Sequence, residues 1–339
     1  MHKLLDIAEP AIEAIHCDLL KARGVVLNVL RLDRIHPSIH GNKWFKLKAN
    51  IDRIRQSGAR QVVSFGGAYS NHIYALAAAG KLLDFDTIGF IRGEIVEPLN
   101  PVLAFARDAG MRLISISRSD YRRKSEADFQ RQLLADFGDC YVLPEGGSNL
   151  LAVKGCEEIV DFLRWGTGID KTDAERGMAA SSEYGSAVWR EQRCGQRIVA
   201  LSCGTGATVA GIISGLNRRS AEAMPRVIGV SVLKAEDYIA KQVKYWLEQL
   251  AAESAGNSRK RSSCEWCISV QYHCGGYAKV SPQLTDFMAE FASYSHIPIE
   301  PVYTAKLFLA LFEMIRDGEI PAGSEILAIH TGGVVTAQP

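Results

Sequence analysis

Hydrophobic and polar positions follow two alternating patterns along this chain. Short runs rich in valine and isoleucine alternate with longer segments in which apolar residues recur every three or four positions. The short runs predict strands over residues 25–32, 61–65, 87–91, 112–116, 141–143, 198–202, 226–232 and 325–329. The longer segments predict helices over residues 43–56, 70–83, 100–108, 125–137, 152–163, 207–216, 235–250, 282–293 and 305–315. Repeated strand–helix units predict an α/β fold with mainly parallel sheets, which bind ligands at the carboxyl ends of their strands.

Two polar segments interrupt this alternation. The first covers residues 167–197 and separates two halves of the α/β pattern. The second covers residues 253–265 and carries a short basic run. We interpret the second as a solvated surface loop, because a short charge run is far more often exposed than bound to nucleic acid.

Composition and charge narrow the functional classes. The chain has 339 residues, 47% of them hydrophobic and 23% charged, with a net charge of +1. Such a balance gives no electrostatic reason to expect nucleic acid or a membrane surface as partner. No run approaches the roughly 18 apolar residues of a membrane span, and the first ten residues do not resemble a signal peptide. We therefore expect a cytoplasmic protein.

The eight cysteines do not form a convincing metal or redox site. Cys264 and Cys267 have the spacing of a zinc or thioredoxin-like motif. A second pair of zinc ligands is missing, and a polar linker precedes Cys264 where a redox motif would follow a strand. We expect free thiols and no metal.

A glycine-rich turn follows the predicted strand over residues 198–202 and admits three phosphate-binding interpretations. A Walker A loop requires a lysine after its last glycine, but Ile212 follows Gly211. A dinucleotide fingerprint requires a small residue where Val209 stands and an acid at the end of the next strand, where Lys234 is found. The turn over residues 203–208 is therefore better suited to a phosphate monoester, bound by backbone amides at a helix N-terminus.

Two other motifs complete a candidate site. Gly41-Asn42-Lys43 places an amine at the start of a predicted helix, and the turn over residues 66–72 ends in Ser70, Asn71 and His72. Each motif alone is weak evidence: Lys43 could be a surface lysine, and Ser70 could be only a helix cap. An amine, a hydroxyl-and-amide turn and an anion site together suit a phosphorylated aldehyde, and pyridoxal 5′-phosphate (PLP) is the obvious one.

Over residues 31–333 the chain resembles the fold-type II PLP enzymes, the tryptophan synthase β superfamily. Within them it is similar to the group that contains D-cysteine desulfhydrase and 1-aminocyclopropane-1-carboxylate (ACC) deaminase. The segment before residue 31 resembles the family's usual start poorly, and the 167–197 segment is longer than usual. The resemblance rests on Gly41-Asn42-Lys43 with Lys46-Leu47, the turns over residues 66–72 and 203–208, Gly276-Tyr277, Glu300-Pro301-Val302-Tyr303-Thr304 and His330-Thr331-Gly332-Gly333.

The resemblance implies a fold and an assembly. It implies two open, twisted parallel-sheet α/β domains with the cofactor in the cleft between them. The larger, PLP-binding domain would comprise residues 1–46 and 161–339, and the smaller one residues 47–160. A homodimer acting on a small amino acid is the family expectation.

The resemblance also implies roles for individual residues. Lys43 would form the Schiff base with PLP and carry a proton, while Ser70, Tyr277 and Tyr303 would act in catalysis. Asn71 would bond the phenolic oxygen of PLP, and His72 would support that turn and the substrate. Further cofactor contacts are implied for Gly204, Thr205, Gly206, Ala207, Thr208, Thr304 and Thr331. Lys46 lies on the same helical face as Lys43 and could pair with the phosphate or remain solvated.

One departure from the ACC deaminases bears on the substrate. The residue after the matching tyrosine is glutamate in those enzymes, whereas this chain has Thr304, with Thr331 as a second hydroxyl. A neutral donor does not keep the ring nitrogen protonated, and Val334 stands where those enzymes carry leucine. We therefore expect α,β-elimination from D-cysteine or a similar small D-amino acid, with ACC deamination as the alternative. A non-catalytic PLP-binding protein would lack Ser70 and the tyrosines, and a nucleotide-binding protein would be colourless when purified.

Overall fold

A computed structural model describes residues 6–165, 195–219, 224–253 and 263–333. The predicted insert over residues 167–197 and Val334 therefore lie largely or wholly outside the described residues. The strands within the described ranges are β1 (Ile12–Ile15), β2 (Val26–Leu30), β3 (Gln61–Gly66), β4 (Asp86–Arg92), β5 (Arg112–Ile116), β6 (Cys140–Leu143), β7 (Arg197–Cys203), β8 (Arg226–Ser231), β9 (Trp266–Ser269) and β10 (Glu325–Ile329).

Helices connect most of these strands. They are α1 (Asp18–Arg23), α2 (Asn42–Ser57), α3 (Asn71–Leu83), α4 (Pro101–Asp108), α5 (Arg118–Arg122), α6 (Ala127–Leu134), α7 (Leu150–Glu157), α8 (Ala207–Asn217), α9 (Tyr238–Glu253), α10 (Pro282–Tyr294) and α11 (Thr304–Arg316). Short 3₁₀ helices cover Leu32–Arg34, Glu145–Gly147 and Glu158–Phe162.

The strands form two sheets, one in each domain. The six-stranded sheet has the order β1-β2-β10-β7-β8-β9, and all its pairs are parallel except β1 with β2. The four-stranded sheet has the order β5-β4-β3-β6 and is parallel throughout. The prediction of an α/β fold with two parallel-sheet domains is thus confirmed. The boundaries at residues 46/47 and 160/161 remain a prediction.

Apolar packing joins the two sheets. One buried cluster contains Val62 and Ile73 from the four-stranded domain together with Val199 and Leu201 from the six-stranded domain. Two smaller clusters cover the outer faces, one around Phe308 beneath α11 and one around β3 and β4. The shared cluster holds the domains against each other, so that the carboxyl ends of β3 and β7 come close to the start of α2.

The structure differs from the predicted elements in four places. β1 and α1 precede the first predicted strand, α5 is separate from the helix predicted over residues 125–137, and β9 is absent from the predicted strands. These elements have four to six residues, which is too short for a periodic pattern to identify. In α1 the stop signal is nevertheless clear, because Gly24 adopts the left-handed conformation with φ 60°.

Two whole-chain expectations concern membranes and thiols. Within the described ranges, no helix is both long and apolar enough to cross a membrane. The seven cysteines of the described residues are free thiols, and Cys194 lies outside them. In the same part of the chain, no three histidine, cysteine or carboxylate side chains converge as metal ligands would.

Candidate active site

Gly41 determines where the lysine helix begins. Its φ is +69°, and a β-carbon there would lie 2.0 Å from the carbonyl oxygen of Thr331. Only glycine combines this conformation with so close an approach. The backbone N–H of Asn42 donates to the same carbonyl at 3.3 Å. The start of α2 is therefore joined to the segment after β10, and Lys43 lies in the first helical turn.

Lys43 faces a cavity between the domains and has an unusual acidity. Burial of the ammonium group, together with the neighbouring charge of Lys46, lowers the pKa of Lys43 to about 7. The Nζ atom donates to Oδ1 of Asn42 at 3.1 Å. A substantial neutral fraction at physiological pH is what a nucleophilic lysine requires.

Lys46 is buried rather than solvated, which decides between the two alternatives left open for it. Its Nζ donates to the carbonyl of Gly146 at 3.0 Å, to Oγ of Ser148 at 2.9 Å and to Oγ1 of Thr205 at 3.3 Å. Burial lowers the pKa of Lys46 to about 8. The residue joins a loop of the four-stranded domain to the glycine-rich turn of the other domain.

The turn over residues 203–208 lies at the carboxyl end of β7, as predicted. Gly206 is the N-cap of α8 with φ +75°, and no side chain caps this helix N-terminus. Oγ1 of Thr208 accepts from Nδ2 of Asn42 at 2.9 Å. Free N–H groups at a helix start, two threonine hydroxyls and Lys46 form an environment suited to a phosphate.

The turn after β3 places Ser70 and Asn71 at the cavity. Oγ of Ser70 accepts from the N–H of Ile73 at 3.4 Å, so Ser70 is the N-cap of α3. It also lines the cavity with Asn71 and His72. The capping role anticipated for Ser70 is therefore present, and it coexists with exposure to the site.

His72 lines this cavity, and one of its two ring nitrogens is a buried atom. Its Nε2 lies 2.8 Å from Oγ of Ser64, whose proton is donated to the carbonyl of Leu143 at 2.7 Å. Nε2 is therefore the protonated nitrogen, and Nδ1 is an acceptor that has no hydrogen-bond partner among the described residues. Burial lowers the pKa of His72, and the charges of Lys43 and Lys46 act in the same direction. The imidazole is neutral.

The two predicted tyrosines lie next to each other, but only one lines the cavity. Tyr303 is a lining residue, and its ring centroid is 6.1 Å from that of Tyr277. Burial raises the pKa of Tyr277 to about 12, whereas a hydrogen bond from Tyr303 acts in the opposite direction. Tyr277 thus lies beside Tyr303 but is not a lining residue, and burial raises the pKa of Tyr303 as well.

The structure separates the two hydroxyls predicted to face the ring nitrogen. Thr331 lines the cavity, with its Oγ1 3.3 Å from Oγ of Ser202. Thr304 does not. Its side chain is fully buried at the start of α11, where Oγ1 accepts from the N–H of Glu300 at 2.8 Å. The expected contact of Thr304 with the cofactor is therefore not supported, because its hydroxyl is turned into the capping turn of its own helix.

Taken as a whole, the cavity is suited to an anionic aldehyde. It is lined by two lysines, amides, hydroxyls and glycine backbone, and no carboxylate is present among its described lining residues. Positive charge without a compensating acid, beside a lysine whose pKa is about 7, matches the phosphate and the aldehyde of PLP. Ala207, although buried at the start of α8, is not a lining residue; only its backbone belongs to the turn.

A comparison with known families agrees with this chemistry. The family described as "Pyridoxal-phosphate dependent enzyme" matches residues 15–332. The chain belongs to this family. As a PLP-dependent enzyme it uses PLP as its cofactor, and the matched range includes every predicted site residue.

Relatives of this PLP-dependent enzyme carry two kinds of name. A Thermotoga maritima protein named "Putative 1-aminocyclopropane-1-carboxylate deaminase" is 30% identical over 87% of this chain and 84% of its own length. The "Bifunctional D-cysteine desulfhydrase/1-aminocyclopropane-1-carboxylate deaminase, mitochondrial" of Arabidopsis thaliana is 28% identical, over 92% and 73% respectively. A Salmonella schwarzengrund "D-cysteine desulfhydrase" is 25% identical, over 90% and 86%.

A solved structure supports the fold. The crystal structure described as an "ACC deaminase homologue" superposes with a TM-score of 0.74 at 23% sequence identity, covering 99% of this chain and 96% of that one. At that identity the similarity concerns the fold alone. It agrees with the two-domain α/β architecture of this PLP-dependent enzyme.

Three cavity residues were not singled out from the sequence. Asn42 bonds Thr208, Ser202 lies beside Thr331, and the carbonyl of Gly146 accepts from Lys46. A signal for Ser202 was available, since it stands at the carboxyl end of a predicted strand, where ligands of α/β folds bind. Gly146 follows Leu143, the last residue of β6, but it is about 100 residues from Lys46 in the sequence, and no periodicity connects them.

Proposed function

We propose that this enzyme catalyses α,β-elimination from D-cysteine or a similar small D-amino acid that carries a β leaving group. The observation that carries the proposal is the composition of the cavity wall: hydroxyls of Ser202 and Thr331 are present, and no described carboxylate is. The names of relatives in Arabidopsis and Salmonella, which include D-cysteine desulfhydrase, agree with it.

The nearest buried acid is Glu300, and both of its carboxyl oxygens already accept hydrogen bonds. Glu300 lies behind Asn71 and Gly333. One of its oxygens accepts from the N–H of Val302 at 2.7 Å, and the other accepts from the N–H groups of Tyr303 and Thr304. A ring nitrogen in the cavity would therefore meet neutral hydroxyls, which withdraw electrons from a substrate less strongly than a charged partner does.

Weak electron withdrawal favours a reaction with a good leaving group. In β-elimination the thiolate takes the electron pair of the Cβ–S bond, so little charge has to be stored elsewhere. Opening the ACC ring breaks a carbon–carbon bond and produces a carbanion, which needs a stronger electron sink. The balanced reaction is D-cysteine plus water giving pyruvate, ammonia and hydrogen sulfide.

The residues that line the cavity would have different roles in the reaction. When bound, PLP supplies the electron sink for the pair released at the substrate α-carbon. The Nζ atom of Lys43 would remove the α-proton, because it is the neutral amine of the site. Ser70 would hold the substrate carboxylate and Asn71 the phenolic oxygen of PLP, with His72 supporting their turn. The phosphate would lie against residues 204–208 and Lys46.

Tyr303 and Tyr277 would supply a proton to the leaving group of the substrate. Tyr303 reaches the cavity directly, and its hydrogen bond to Tyr277 provides a route by which a proton can be replaced from behind. A thiolate leaving the substrate would accept a proton from this pair before it departs. We assign substrate positioning and proton relay to the two tyrosines together.

A substrate comparison tests the proposal. Keto-acid release is measured from D-cysteine, L-cysteine, D-serine and ACC at equal concentrations, with the Lys43→Ala variant as the control for uncatalysed breakdown. We expect D-cysteine to have the highest kcat/KM and Lys43→Ala to be inactive. Faster turnover of ACC than of D-cysteine would move the enzyme to the deaminase class.

We further propose a cytoplasmic homodimer. The proposal rests on the resemblance of residues 31–333 to enzymes for which that assembly is expected. Sedimentation of the purified PLP-bound enzyme at several concentrations tests the assembly: a mass near twice 37.2 kDa is expected. A mass that remains at one chain throughout would contradict it.

A further inference from the structure

Arg92 lies at the edge of the cleft without a role in the site as described so far. It is the last residue of β4, at the carboxyl end of the four-stranded parallel sheet. Ile91 pairs with Gly66 of β3, so Arg92 lies beside the turn that leads to Ser70. The side chain is exposed. Within the described residues, no carboxylate is within ion-pair distance of its guanidinium group.

The guanidinium group of Arg92 lies over two aromatic rings instead of beside a carboxylate. The guanidinium carbon lies 5.7 Å from the ring centroid of Tyr121 and 5.5 Å from that of Tyr277. Both distances fall within the range of cation–π attraction. Tyr121 belongs to the same domain as Arg92, whereas Tyr277 belongs to the segment between β9 and α10 of the other domain. Arg92 therefore connects the two domains through Tyr277.

Tyr121 is held firmly on the Arg92 side. Its hydroxyl donates to Oε1 of Glu145 at 2.5 Å, and Glu145 also pairs with Lys124 at 3.2 Å. The ring is buried against Phe65. The guanidinium group thus lies over a fixed ring within its own domain, and its contact with Tyr277 crosses the cleft.

Besides Arg92, the ring of Tyr277 lies next to Gly67 and Tyr303. A β-carbon at Gly67 would lie 3.1 Å from the ring edge, and the phenol is hydrogen-bonded to Tyr303. The positive charge of Arg92 also favours the phenolate, which opposes the rise in the pKa of Tyr277 that burial causes. Arg92 therefore affects both the orientation and the acidity of the phenol behind the cavity.

We propose that Arg92 is a positioning residue that holds Tyr277 against the cleft and so aligns the Tyr277–Tyr303 pair with the substrate. The inference rests on the proposed function, because it assigns Arg92 to the tyrosines that act on the leaving group. Arg92 is not among the described residues that line the cavity. Its effect passes through Tyr277, and this distinguishes it from a general stabilising residue.

A double-mutant cycle tests whether the effect passes through Tyr277. Arg92→Met keeps an unbranched side chain but removes the charge. Alone, it should lower kcat/KM for D-cysteine by about 2- to 5-fold, the range expected for a cation–π contact of an exposed side chain. In the Tyr277→Phe background the attraction to the ring persists but the phenol is absent, so the same change should cost less than about 2-fold. Equal losses in both backgrounds would overturn the proposal.

Two further variants exclude a general effect of lost charge. Arg112 on β5 lies over the ring of Phe137, 5.2 Å from its centroid, and is also exposed. Arg112→Met should leave kcat/KM within about 2-fold of the wild type. Arg92→Lys retains a cation over the ring and should restore part of the activity that Arg92→Met loses. Failure of Arg92→Lys to exceed Arg92→Met would contradict a role for the charge.

A spectroscopic measurement on the apoprotein keeps this test independent of the substrate. Tyrosines are replaced by 3-fluorotyrosine, and the ¹⁹F resonance of Tyr277 is assigned from its absence in Tyr277→Phe. Arg92→Met should shift or broaden that resonance, whereas Arg112→Met should not. An unchanged Tyr277 resonance in Arg92→Met would refute the contact even if the enzyme is active. If instead the wild type released no keto acid but the resonance moved, the proposed function would fail and the positioning contact would stand.

Discussion

Lys43 and Lys46 face the same cavity one helical turn apart, and their charges are coupled. Burial is the main reason why the pKa of Lys43 is about 7, and the ammonium of Lys46 adds to the decrease. The pKa of Lys46 itself is about 8. Around neutral pH, Lys46 is therefore still largely charged while Lys43 has begun to lose its proton. The lower pKa of Lys43 agrees with the proposed nucleophilic role of this residue, and the contact of Lys46 with Thr205 agrees with a proposed anion-binding role.

We predict that removing the Lys46 charge makes Lys43 less reactive at neutral pH. In Lys46→Met one cause of the lowered pKa disappears, so the pKa of Lys43 rises and its neutral fraction at pH 7 falls. Reductive methylation of the apoprotein across a pH series, with mass spectrometry of the Lys43 peptide, measures this. The midpoint should lie near pH 7 in the wild type and higher in Lys46→Met.

Lys48→Met is the matched control for this prediction. Lys48 lies on the same helix but pairs with Glu158, at 2.7 Å, and does not contribute to the lowered pKa of Lys43. Its loss should leave the midpoint where it is in the wild type. A midpoint that does not move in Lys46→Met either would mean that burial alone sets the acidity of Lys43.

At the scale of single residues, the sequence predicted those site residues that lie in short continuous motifs. Lys43, Ser70, Asn71 and the 203–208 turn stand next to strand ends or helix starts, where chemistry is expected in an α/β fold. The position of Lys46 could not be decided, because its partners Gly146 and Ser148 follow it by 100 and 102 residues. Thr304 was assigned to the cofactor for a similar reason: a motif gives the residue type but not the direction of the hydroxyl.

At the scale of elements, α11 is held in place by an acid that precedes it. Glu300 accepts hydrogen bonds from three successive N–H groups at the start of the helix, those of Val302, Tyr303 and Thr304. A carboxylate at a helix N-terminus is also favoured by the helix dipole. The position of Tyr303 in the cavity therefore depends on Glu300, although Glu300 does not line the cavity itself.

We predict that Glu300→Ala lowers the free energy of unfolding and also raises KM for the amino-acid substrate. Three N–H groups, two of them buried, would lose their acceptor, at a cost of about 1–3 kcal/mol in the free energy of unfolding for each buried group. Urea denaturation measures this cost, and KM for the amino-acid substrate should rise because Tyr303 is no longer fixed. Glu290→Ala on α10 is the control: its side chain is exposed, and its loss should change stability by less than about 0.5 kcal/mol. A Glu300→Ala variant as stable as Glu290→Ala would contradict the capping role.

Periodicity predicted the long elements but not the short ones. The helix over residues 305–315 and the strand over residues 325–329 agree with α11 and β10 to within one residue at each end. β1 has only four residues at the antiparallel edge of the sheet, and its pairing with β2 stabilises it. Pairing with a neighbouring strand, rather than its own hydrophobic pattern, stabilises so short a strand.

At the scale of the whole molecule, close helix packing fixes the site across the domains. α7 packs against both α2 and α8. A β-carbon at Gly155 of α7 would lie 2.1 Å from the carbonyl oxygen of Phe45 in α2. On the other side, a β-carbon at Gly211 of α8 would lie 2.5 Å from the carbonyl oxygen of Val153. α7 thus keeps α2, which carries Lys43, at a fixed separation from α8, which follows the turn over residues 203–208. Sequence periodicity does not reveal this packing.

We predict that Gly155→Ala weakens PLP binding as well as the fold. The added carbon must displace α7 from Phe45, which lies between Lys43 and Lys46, so the two lysines move relative to the turn over residues 203–208. Overpacking of this kind costs about 2–3 kcal/mol, and the affinity for PLP should fall in parallel. Urea denaturation of the apoprotein and titration with PLP, followed by visible absorbance, measure the two effects separately.

Gly138→Ala shows whether the loss of affinity requires the helix contact. Unlike Gly155, Gly138 has a positive φ, +66°, and nothing lies within 4 Å of the added carbon. Its substitution should therefore cost about 1–2 kcal/mol in backbone strain alone and leave PLP affinity unchanged. If Gly155→Ala lost stability to a similar extent but bound PLP as tightly as Gly138→Ala does, the packing would support the fold without positioning the site. A selective loss of PLP affinity in Gly155→Ala would instead place the geometry of the active site in the contact between α2 and α7.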